Sequence, residues 1–250
     1  MKKISIYCFI LISLGFIGCT SKTHEKTIED FDIREMSLQV DTLYSRMTQA
    51  ERVAQLYGIR PKEIMEDGKL SLEKCKEKIP DGIGHICQYA CALDMEPNEL
   101  RDFVRDLQNY LIHETPSAIF HEEAITGLAA KGATVYPQQL GIACTWNPEL
   151  ATVKTEQTAE VMRSVGATLA LSPMVDLIRT AHWPRIEESY GEDGYLSAAM
   201  GVAFVEGLQK KGLKNGVAAC TKHFLGYGGG SSLSWKEIYE EVLLPHEAMI

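Results

Sequence analysis

Nothing in these 250 residues repeats, and no low-complexity tract or run of like charge breaks them up. The chain therefore reads as one continuous domain behind a short N-terminal address. Basic residues are in deficit: 25 Lys and Arg face 34 Asp and Glu, for a net charge of −9. That balance excludes a nucleic-acid partner and charge-driven docking on anionic lipid. Long apolar runs are scarce, and the 14 residues from Ile4 to Ile17 are too few for a comfortable membrane span. No glycine-rich phosphate fingerprint follows the first predicted strand, which weakens a nucleotide-binding reading. Cys87 and Cys91 would share one face of a helix, but no His or second Cys pair lies near them at ligand spacing. Zinc is therefore not expected, and no cofactor is implied.

What is present is an ordinary globular composition, 45% hydrophobic and 24% charged, with ample material for a core. The N-terminus is an export address. Lys2 and Lys3 precede the apolar stretch, and Gly18-Cys19-Thr20-Ser21 closes it. This resembles a bacterial lipoprotein signal with lipidation at Cys19, although Phe16 stands where Leu is more usual. An ordinary cleaved signal and an uncleaved anchor are the alternatives, and all three imply export. The expected layout is a signal over 1–19, a polar tether over 20–37 and the domain over 38–250, anchored on the periplasmic side or at the cell surface. Beyond Cys8 and Cys19 five cysteines remain, Cys75, Cys87, Cys91, Cys144 and Cys220. An odd count leaves at least one thiol free or paired between chains. Cys144 and Cys220 lie in apolar surroundings and are expected in the core.

Periodicity predicts alternating helices and strands. Thr48-Gln-Ala-Glu51 has the form of a capping box. Leu100, Phe103, Val104, Leu107, Tyr110 and Leu111 recur at the spacing of one buried helix face, with Asn98 as candidate cap. Strands are expected at 83–86, 117–120, 167–171 and 217–221, and further helices over 149–163, 195–210 and 236–249, the last divided at Pro245. Such alternation gives parallel βα units, in a barrel or a doubly wound sheet. Polar residues gather after the strands: His121-Glu122-Glu123, Asp176 with Arg179, and Lys222-His223. In isolation Glu122-Glu123 is as readily a solvated acidic pair, and Arg185 a partner for Glu187 or Glu188. Lys222-His223, behind an apolar strand and ahead of glycines, is harder to explain as mere surface.

Four ordered segments settle the family. Phe120-His-Glu-Glu-Ala-Ile-Thr-Gly-Leu128 with Gly132-Ala-Thr-Val-Tyr-Pro-Gln138 comes first. Leu171-Ser-Pro-Met-Val-Asp176 with Arg185-Ile-Glu-Glu-Ser-Tyr-Gly-Glu-Asp193 follows, then Lys222-His-Phe-Leu-Gly-Tyr-Gly228, then Ile238 to Pro245. Together they resemble the family 3 glycoside hydrolases, retaining enzymes that remove terminal sugars from β-linked glycans. The resemblance implies an α/β fold of (β/α)8 TIM-barrel type, here incomplete at about four βα units. It implies that Glu123, Arg185, Lys222 and His223 hold the terminal sugar of a β-linked oligosaccharide or an aryl or alkyl β-glycoside. None of the four cleaves the bond in that family.

Departures are visible. The family commonly has His at Thr126 and reads Arg-Asp-Pro-Arg-Trp-Gly-Arg where this chain has Arg179-Thr-Ala-His-Trp-Pro-Arg185, and the segments 115–119 and 228–232 are shorter than usual. The family's nucleophilic Asp and acid/base have no matching context in the chain. The expectation is the N-terminal portion of an exported β-glucosidase or β-xylosidase, inactive alone, with no catalytic residue of its own. A non-catalytic glycan-binding lipoprotein is the alternative.

Overall fold

The computed structural model describes residues 33–114, 116–229 and 232–250. The signal, Cys19 and most of the tether lie outside the described residues. The chain divides into two units, 1–47 and 48–250. In the first, helix Ile33–Arg46 carries Thr42 and Ser45, whose hydroxyls donate back to the Leu38 and Thr42 carbonyls at 2.6 and 2.8 Å.

The second unit opens on the capping box. Thr48 Oγ1 accepts from the Glu51 N–H at 3.2 Å, and Glu51 Oε2 accepts from the Thr48 N–H at 2.6 Å. The helix Gln49–Ala54 follows. The strands are β1 (Gly58–Ile59), β2 (Met65–Glu66), β3 (Lys69–Leu70), β4 (His85–Cys87), β5 (Ile119–Glu122), β6 (Leu169–Ala170) and β7 (Ala218–Ala219). β2 and β3 make a small antiparallel hairpin. The other strands form one parallel sheet in the order β1-β4-β5-β6-β7. Order in space thus repeats order in sequence. A doubly wound sheet needs a point where that order reverses, and this sheet has none. A sequential parallel sheet with helical crossovers is the wall of a (β/α) barrel. Among the described residues β1 and β7 do not pair with each other, so the wall is open.

Helices Tyr89–Ala92 and Pro97–Glu114 join β4 to β5, Gln139–Ala143 and Pro148–Ser164 join β5 to β6, and Gly194–Gln209 leads to β7. The 97–114 stripe is buried as its spacing predicts, with Leu100, Leu107 and Leu111 fully covered beside Ile86 and Phe120. Each such leucine contributes about 1.5–3 kcal/mol. Asn98 is not the cap. Proline takes the first helical position, where its missing N–H costs nothing, and Asn98 falls inside the helix. Tyr89 packs edge-on to Phe120 and donates its hydroxyl to the Val165 carbonyl at 2.7 Å, pinning the loop before β6. The C-terminal segment is divided as expected. A short helix Trp235–Glu237 runs into a π-turn, Ile238–Val242, before Leu244–Ala248 begins with Pro245 in its first turn.

The cysteines depart from expectation. Cys144 and Cys220 are exposed, not core. Cys144 caps the Gln139–Ala143 helix, whose Ile142 and Ala143 turn inward instead. Cys220 has the opposite strand parity to the buried Val217, so it faces the other side of the sheet. Cys87 belongs to β4 and Cys91 to the following helix, so they share no helix face. All five are free thiols.

Candidate functional site

Strand alternation separates the acidic pair at the end of β5. Glu122 is fully buried beneath the helix Tyr89–Ala92, where its Oε1 accepts the Ala90 N–H at 2.6 Å. Burial pushes its carboxyl up to about 7, against the opposing pull of that hydrogen bond. Beside it, His121 stands 3.2 Å from His85, Nδ1 to Nδ1, and burial, then the neighbouring ring, push it down to about 4. Glu123 turns the other way. It lines an open cleft of about 290 Å³ with Thr126, Gly127, Gln138, Arg185 and Glu188.

The segment after β7 brings the next two residues. Lys222 Nζ lies 2.7 Å from each carboxylate oxygen of Glu123. His223 donates its backbone N–H to Asp176 Oδ2 at 3.1 Å, and its Nδ1 lies 2.7 Å from the same oxygen. Tyr227 N–H completes the set on Asp176 Oδ1 at 3.2 Å. An unpaired buried carboxylate would be costly, so three contacts on Asp176 are what its position demands. Arg185 binds Glu188 through Nε, at 2.9 Å from Oε1, and through Nη2, while its Nη1 lies 3.2 Å from His223 Nε2. The Glu188 contact raises Arg185 above its usual value and holds Glu188 below the usual carboxylate range. The Tyr227 ring lies 5.9 Å from the guanidinium and stands edge-on to His223 and Trp183.

Of the four residues expected from sequence, Glu123 and Arg185 line the cleft, while Lys222 and His223 stand behind them, each in contact with one of the two. Glu187 is exposed, and Arg185 takes Glu188. Trp183 is buried and offers no face to a ligand. Two members were not foreseen in the site. Glu188 stood only as one alternative partner for Arg185, and Asp176 only as one of several polar residues after strands. Asp176 lies between Val175 and Leu177, and apolar neighbours alone do not tell whether the acid turns inward, as it does here.

The rim is braced by neighbours. Lys154 is buried by the cleft wall, donating to the carbonyls of Ile125 and, at 3.2 Å, Pro137. Arg179 forks to Glu237 and Glu241, fastening the 171–179 loop to the C-terminal helical segment. Gly228 packs against the same loop: a β-carbon there would sit 1.6 Å from the Leu177 carbonyl oxygen. The glycine after Tyr227 thus serves close packing of two rim loops. Among the described residues no group of three or more His, Cys, Asp or Glu is arranged to hold a metal ion. Nor is any helix there long and apolar enough to cross a membrane. At the cleft and its edge the donors Lys222 and Arg185 stand beside the acceptor Glu123 and the imidazole of His223, which suits a neutral ligand dense in hydroxyls.

Comparison with known proteins points the same way. Residues 50–246 match the glycosyl hydrolase family 3 N terminal domain. A putative β-xylosidase of Formosa agariphila is 31% identical over 271 aligned residues, covering 100% of this chain and 35% of that protein. The structure of a β-glucosidase from Erythrobacter marinus superposes with a TM-score of 0.74 at 31% identity, over 81% of this chain and 28% of the other. A Listeria innocua β-glucosidase solved in complex with glucose gives 0.69 at 26% identity, over 84% and 31%. The chain spans about a third of the length of these relatives.

Proposed function

This chain belongs to glycosyl hydrolase family 3, and from that premise we propose that its cleft holds the terminal sugar of a β-linked glucoside or xyloside. The observation that carries the reading is that two lining residues of one open cleft, Glu123 and Arg185, are held by Lys222 and His223 from the segment after β7. Charge-assisted hydrogen bonds of this kind orient a neutral sugar and strengthen as water leaves. Thr126, where the family commonly carries a bulkier His, widens one wall of the cleft and bears on which sugar fits.

Binding, not cleavage, is the role of these groups. Glu123 is engaged by Lys222, Glu188 by Arg185 and Asp176 by His223. Retaining hydrolysis requires one carboxylate free to attack and another to protonate the leaving oxygen. We place both outside these 250 residues, which makes the chain alone inactive. A glycan-binding lipoprotein, the second reading, draws on the same engagement of every cleft carboxylate. In both readings the chain is exported and Cys19 carries the lipid.

Calorimetric titration of the 250-residue chain with glucose and xylose tests the site. Saturable binding lost in Lys222→Ala is expected, and binding indifferent to that change would remove the cleft from consideration. Turnover of an aryl β-glycoside by the chain alone would overturn the inactive reading. Labelled-palmitate incorporation abolished by Cys19→Ser is the expected sign of the anchor.

A further inference from the structure

We propose that Asp176 is a positioning residue that fixes His223 as a neutral ring with the proton on Nδ1, so that Nε2 meets the sugar as a hydrogen-bond acceptor. The inference rests on the cleft being the sugar site and adds the direction of one of its hydrogen bonds.

The argument starts at Arg185. A guanidinium is always a donor and has no acceptor to offer. Its Nη1 lies 3.2 Å from His223 Nε2, so that nitrogen must present a lone pair. The ring proton is then on Nδ1, which lies 2.7 Å from Asp176 Oδ2. The two contacts impose the same tautomer from opposite sides of the ring. The carboxylate is fully buried, and its other contacts are backbone N–H groups of His223 and Tyr227. One buried charge therefore sets both the path of the 222–227 loop and the proton position on the imidazole, the arrangement in which a second group dictates what the first can do.

This gives the cleft a defined polarity. Lys222 and Arg185 donate, while Glu123 and His223 accept. A hydroxyl that reaches His223 must donate its proton there, taking over the place Arg185 Nη1 holds in the free protein. A ligand with an ether oxygen or fluorine in place of that hydroxyl has no proton to give, and faces two lone pairs in opposition. Discrimination against such analogues is large when the site's own groups are left unpaired.

Nitrogen-detected NMR of the chain labelled with 15N-histidine, at pH 8, reads the tautomer directly. A pyrrole-like Nδ1 and a pyridine-like Nε2 at His223 are expected, and the reverse pattern overturns the proposal. Asp176→Asn places an amide where two donors converge. The expected result is a shift of the ring toward the Nε2-protonated form, with glucose binding weakened at least tenfold. An Asp176→Asn ring that keeps its proton on Nδ1 with unchanged binding also overturns the proposal. Should Asp176→Asn not fold, the measurement on the unsubstituted chain still decides. If that chain shows the Nδ1 tautomer but binds no sugar, the sugar-site reading fails while the orientation by Asp176 stands.

Discussion

Arg185 is held by Glu188 through two of its nitrogens, one of them at 2.9 Å, and only its third is turned toward His223. The acid three residues on thus sets the plane of the guanidinium before any ligand arrives. Glu188→Gln keeps the shape but removes the charge that aims the fork. Sugar affinity is expected to fall about tenfold with little change in melting temperature, because each side chain of the pair is still about a quarter exposed and the pair contributes only about 1 kcal/mol to stability. Titration calorimetry beside a thermal melt separates the two. A large drop in melting temperature with unchanged affinity would contradict this assignment.

In the Glu123–Lys222 pair the lysine side chain is only 13% exposed, while the glutamate opens to the cleft at 35%. A double-mutant cycle of Glu123→Gln and Lys222→Met in urea is expected to give a coupling of about 1–2 kcal/mol, between the values for exposed and buried pairs. A coupling near zero would mean that the two charges are screened and that the cleft is wetter than its geometry implies.

The neighbours His121 and Glu122 give opposite pH slopes. Folded Glu122 keeps its proton to about pH 7, whereas unfolded it loses it near 4.5, so unfolding releases protons in that window and stability falls as pH rises. Folded His121 takes a proton only near pH 4, against 6.5 when unfolded, so there unfolding takes up protons and stability rises with pH. The slopes oppose each other below 6.5. Glu122→Gln leaves the histidine slope alone, and the variant should gain about 3 kcal/mol relative to the parent between pH 4.5 and 7.5. Urea midpoints across that range check it, and parallel curves would sink it.

Gly228→Ala has no room, because its β-carbon falls on the Leu177 carbonyl and backbone cannot step aside as a side chain can. A loss of about 3 kcal/mol is expected, together with weaker sugar binding, since the displaced strand carries Tyr227 and abuts the Asp176 loop. Unchanged thermal stability would show that the two loops are not packed as described.

Much of this arrangement was legible in the chain, and the reasons are local. The stripe from Leu100 to Leu111 predicts its helix because about three turns repeat one pattern, and Thr48 and Glu51 announce a cap through chemistry that needs no tertiary context. The four cleft residues were reached through resemblance, since nothing in their spacing says that positions 123, 185, 222 and 223 meet. β1 and the β2–β3 hairpin escaped notice because, unlike the equally short β6 and β7, they lie among charged residues and not within a longer apolar run. Cys144 and Cys220 were misplaced because apolar neighbours in sequence say nothing about which face of a turn or strand a side chain occupies. The engagement of Asp176 and Glu188 depends on loops from different crossovers, and such contacts are written in no single segment.

The separation of 99 residues between Glu123 and Lys222 has a consequence in time. A chain synthesised from its N-terminus at about 5–20 residues per second leaves Glu123 waiting roughly 5–20 seconds for its counter-charge to emerge. During that interval β5 is already available to pair with β4, yet the cleft has an acid without a base. The paired cleft is therefore among the last features of this sheet to mature, complete only in chains in which β7 has arrived.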